Sequence, residues 1–73
     1  MFVIFKGPLN AHGELASRVK LPKSFESQEQ AREFVLAQLK RDFPQHEYDA
    51  DNDVWWGRNK GDAQATGYLI QNT

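Results

Sequence analysis

The stretch DVWWGRN, Asp53 to Asn59, sets two tryptophans side by side between an aspartate-rich run and a glycine. Aromatic and β-branched residues bounded by turn formers read as a strand, here from Val54 to Asn59. Neighbouring side chains in a strand point to opposite faces of its sheet. Trp55 and Trp56 therefore cannot share a side, and the fold must place one indole on each face.

The flanking sequence supplies the rest of that sheet. MFVIFK reads as a strand from Phe2 to Lys6, with Phe2 and Ile4 on one side and Val3 and Phe5 on the other. GPLNAHGE has the composition of a turn or short loop, and LASRVKL alternates as a half-exposed second strand, Leu15 to Leu21, ended by Pro22. Beyond Pro44, further strands fit near His46 to Ala50 and Thr66 to Gln71, with turns at DADND and NKGDAQ. Between the two halves, Ser27 followed by Gln30 is a capping-box pattern, and Pro44 closes the segment, so a helix is expected from Gln28 to Asp42. Ala31, Phe34, Val35, Leu39 and Phe43 form its apolar stripe. Phe34→Ala on that stripe is expected to cost about 3–5 kcal/mol, because a buried aromatic there leaves a cavity. The outcome is one α+β domain over residues 1–73: an antiparallel sheet, ββα then ββ or βββ, with one helix packed on one face.

A single helix of some fifteen residues is about 22 Å long and covers roughly one face of such a sheet. The other face carries apolar residues on several strands, and a contiguous exposed apolar patch in a small protein often marks a binding surface. The candidate interaction surface is Phe5, Trp55, Trp56, Arg58, Lys60 and Tyr68. Trp55 is assigned to the open side, since Val54 and Trp56 together can continue a helix-facing core. The expected occupant is a second copy of the chain in a sheet-face or edge-strand homodimer, or another protein. The alternative is that the long C-terminal tail or the GPLNAHGE loop folds across the face.

Chemistry is sparsely encoded. Asp49, Asp51 and Asp53 alternate as a calcium loop begins, but Val54 and Lys60 stand where that loop needs glycine and a bidentate glutamate. A turn whose aspartates bind local backbone N–H groups is the expected reading. His12 and His46 complete no zinc pattern, and Ser17, Ser24 and Ser27 lie in no nucleophile elbow. No catalytic residue, metal or cofactor is expected. WWGRNKG interleaves aromatic and basic groups, which suits a single-stranded nucleic acid through Trp55, Trp56, Arg58 and Lys60 as the alternative function.

Composition bounds all of this. The chain has 73 residues, 40% apolar and 26% charged, which fits a globular domain of ordinary usage. A domain this small buries only about 60% of its unfolded surface. It has no cysteine to add disulfides or thiolate metal ligands, so packing or association must supply its stability. Nine basic against ten acidic side chains leave a net charge of -1, unlike a dedicated duplex binder. MFVIFK lacks the flanks of a signal peptide and no stretch reaches membrane-spanning length, so a cytoplasmic protein without membrane contact is expected.

Overall fold

The computed structural model describes all residues, 1–73. The elements follow as β1 (Phe2–Pro8), β2 (Val19–Phe25), α1 (Gln28–Asp42), β3 (Gln45–Asp49), β4 (Val54–Arg58) and β5 (Thr66–Asn72). The strands form one antiparallel sheet of order β2-β1-β5-β4-β3 with the helix on one face, the α+β arrangement read from the sequence.

The helix occupies the expected span because both of its ends are encoded locally. Ser27 is extended, and its Oγ accepts a hydrogen bond from the Gln30 N–H at 3.1 Å. Phe43 leaves the helical region at φ -133°, as a residue preceding proline does. Ala31, Val35 and Leu39 are fully buried against Ile4, Tyr68 and Phe25. Phe34 is only half-buried, stacked at 5.3 Å on Phe25 with the Lys23 amine over its ring, so it is not the sealed core position that its place on the stripe suggested.

Two local readings are corrected. The second strand is Val19–Phe25, not Leu15–Leu21, and Pro22 lies inside it. Proline is tolerated there because β2 is an edge strand with one side unpaired, and a register shift between its Phe5 and Val3 pairings leaves Pro22 outside the regular ladder. The second correction concerns the faces. Trp55 lies opposite Tyr68, and Tyr68 belongs to the row that includes Ile4 and Ile70 beneath the helix. Trp55 is therefore on the helix side and Trp56 on the outer face, the reverse of the expected assignment. Tyr68, expected on the interaction surface, is wholly buried.

The Tyr68 hydroxyl is enclosed without a hydrogen-bond partner in the protein. An enclosed unpaired hydroxyl costs about 1–3 kcal/mol of desolvation. Tyr68→Phe, which keeps the ring and removes only that oxygen, is expected to leave stability unchanged or raise it in a urea titration. A loss above about 1 kcal/mol would mean that the hydroxyl is paired in solution.

Candidate functional site

The outer face consists of Val3, Phe5 and Gly7 on β1, Leu69 and Gly67 on β5, and Val54, Trp56 and Arg58 on β4. The connection from Pro8 to Val19 folds over part of it. Its base is a bridge between Leu9 and Leu15, and Asn10 shapes its tip by accepting N–H groups from His12 at 2.8 Å and Glu14 at 3.1 Å. Leu9 and Leu15 rest where a side chain at position 67 would stand, so Gly67 is the seat on which this loop packs. Asn52 Nδ2 ties the tip to the β3–β4 turn by donating to the His12 carbonyl at 3.2 Å.

Coverage stops short of Trp56. The half-buried indole lies in an open groove of about 510 Å³, between Leu9 and Ala11 of the loop, Gln45 at the start of β3, and Ala63 to Ala65 before β5. Arg58 forms one wall, held there because its Nη2 donates to the Asp62 carbonyl at 2.9 Å, while the Asn59 N–H donates to the Asp62 carboxylate at 2.9 Å. The groove thus combines an aromatic floor, small apolar walls and a few polar groups, the usual make-up of a recognition site.

The other candidate residues scatter around this centre. Phe5 is half-buried on the same face, with the Arg18 guanidinium 5.5 Å from its ring centroid. Lys60 is exposed in the β4–β5 turn and is not part of the groove lining. Trp55 packs at 4.5 Å against Tyr48 on the helix side, where Gln28, Arg32, Asp53 and Ile70 complete a smaller cleft of about 300 Å³. The two indoles therefore offer no shared stacking platform.

The acidic turn is occupied by its own hydrogen bonds. Asp49 accepts from the Asp51 N–H at 3.1 Å and from Asn52 Nδ2 at 2.9 Å, and Asp53, at φ 53°, accepts from the Tyr48 hydroxyl at 2.6 Å. That bond to Asp53 raises the Tyr48 pKa above its ordinary value, with burial and the nearby carboxylates acting in the same direction. No group of three or more His, Cys, Asp or Glu side chains is placed to hold a metal ion. His46 Nδ1 stands 3.2 Å from the Phe43 carbonyl, to which its N–H donates. No helix is long and apolar enough to cross a membrane.

Sequence reasoning missed Leu9 and Leu15. Their signal was present, since two leucines in an otherwise polar, glycine-containing loop need apolar surface to rest on. No family model, curated protein or solved structure matches the chain, so its surface is read from its own geometry.

Proposed function

We propose that the protein is a small non-catalytic interaction module that works through the sheet face opposite its helix, and that the first partner for this face is a second copy of the chain. The observation that carries this reading is the Trp56 groove: the protein's own loop covers Gly67 but leaves the half-buried indole lining an open groove beside Arg58. Tryptophan and arginine flanked by small apolar groups are the residues on which binding energy concentrates at protein contacts. The use of the aspartates and His46 in local hydrogen bonds favours binding over catalysis.

Trp56→Ala is the test. In light scattering or sedimentation at roughly 0.1–1 mM, the native chain is expected to run heavier than a monomer, and the variant to weaken association by at least about 2 kcal/mol. A native chain that stays monomeric over that range removes the second copy as partner. A second reading, single-stranded nucleic acid, is favoured by Trp56 and Arg58 sharing one groove. It requires salt-sensitive quenching of tryptophan fluorescence by an oligonucleotide, lost in Trp56→Ala and kept in Trp55→Phe.

A further inference from the structure

The two edges of the sheet carry opposite charge. β2 is led in by Arg18 and contains Lys20 and Lys23, whereas β3 carries Glu47 and Asp49 and opens into Asp51 and Asp53. Each edge also holds a strongly exposed apolar side chain, Val19 at 69% on β2 and Tyr48 at 45% on β3. The register puts these two on the same side. Val19 lies opposite Lys6 and Tyr48 opposite Trp55, both facing the helix side, while Lys20 lies opposite Phe5 and Glu47 opposite Trp56 on the outer face. Every neighbouring pair in the sheet is antiparallel, so β2 and β3, at the two ends of five strands, run in the same direction.

From this arrangement we propose that copies of the chain associate head to tail. β3 of one copy pairs in parallel with β2 of the next, setting Glu47 beside Arg18, Tyr48 beside Val19 and Asp49 beside Lys20. A second copy displaced along the sheet without being turned over presents its β2 in the required direction and keeps both faces in register, so charges meet on the outer face and apolar side chains on the helix side. Opposite charges and apolar pairs at neighbouring positions stabilise strand pairing, and like charges oppose it.

The symmetric alternatives lack this fit. Two β3 edges paired antiparallel along their full five residues set Glu47 against Glu47. Two β2 edges paired along their full seven set Pro22 against Pro22, where neither strand has an N–H to donate. Pro22 and the register shift confine the usable part of β2 to the stretch around Arg18 to Leu21. The contact is therefore small, dependent on charge and open-ended, because a heterologous contact does not close after two copies. The β3 residues it uses, Glu47 to Asp49, do not line the Trp56 groove, and the contact goes beyond the face contact proposed above.

Two double variants test it. Glu47→Lys with Asp49→Lys makes both edges basic, and Arg18→Glu with Lys20→Glu makes both acidic. The native chain is expected to self-associate beyond a dimer at low salt, with affinity falling at least about tenfold between roughly 20 and 500 mM salt. Each double variant alone is expected to lose this salt-dependent component, and an equimolar mixture of the two to recover it. Circular dichroism checks that both remain folded; Lys20→Glu alone serves where Arg18 proves necessary for folding, and Glu47→Lys alone where Asp49, which holds the β3–β4 turn, does. The proposal is overturned if the native chain shows no salt-dependent mass increase, if either double variant associates as the native chain does, or if the mixture is no heavier than its components. Trp56→Ala separates the two contacts, since it is expected to leave the salt-dependent component intact whether or not the face contact exists.

Discussion

Leu39→Ala is expected to lower unfolding stability by about 2–5 kcal/mol, because the removed atoms are wholly buried and leave a cavity between the helix and the sheet. Domains have roughly 0.05–0.15 kcal/mol of stability per residue, so a chain of 73 residues has about 4–11 kcal/mol in total, and this one substitution takes a large share of it. Position 39 is a better probe of the helix face than Phe34, whose ring is half-exposed and whose truncation leaves a site that water can fill. Val19→Ala, at an exposed position, is the control and should change stability by less than about 0.5 kcal/mol. A urea titration of the three variants gives the order. If Leu39→Ala unfolds at the same midpoint as Val19→Ala, the helix does not cover the face described.

The second large effect is expected at Gly7, and its cause is space, not backbone conformation. A methyl group there would overlap the Ser17 carbonyl and lie 2.9 Å from the Ser17 carbonyl carbon, so the obstacle is the main chain entering β2. Main chain cannot swing aside as the end of a side chain can. Gly7→Ala should push the connection outward, strain the bond from the Ala16 N–H to the Pro8 carbonyl at 2.8 Å, and lift Leu9 and Leu15 off Gly67. The expected cost is at the upper end of the roughly 1–3 kcal/mol typical of overpacking, together with a red shift of tryptophan emission as the Leu9 wall of the Trp56 groove moves away. Gly67→Ala meets only side-chain atoms of Leu9 and Leu15 and should cost less. Equal midpoints for Gly7→Ala and the native chain would mean that the loop does not lie across this face.

These effects divide along the line between local and non-local information in the sequence. Ser27, Gln30 and Pro44 act on residues next to them, so the helix could be delimited from its own stretch. The alternation of Trp55 and Trp56 was equally local, and they do lie on opposite faces. Which indole lies under the helix depends on Tyr68, thirteen positions beyond Trp55, pairing with it, and no property of DVWWGRN sets that pairing. Pro22 reads as a stop because proline lacks the N–H that a central strand donates to its ladder; only the sheet order makes it harmless at the edge. The same holds for the covering loop, since Leu9 and Leu15 find Gly67 only after β5 has paired with β1. Tyr68 was lost to the core for the reason that decided the tryptophans.

The division of the indoles between the faces is the claim on which the proposed surface stands, and proton NMR of the native chain measures it most directly. Nuclear Overhauser contacts are expected from the Trp55 indole to the Tyr48 ring, and from the Trp56 indole to the Leu9 methyls that share its groove. Contacts from both indoles to the Val35 and Leu39 methyls, with none from Trp56 to Leu9, would contradict the account.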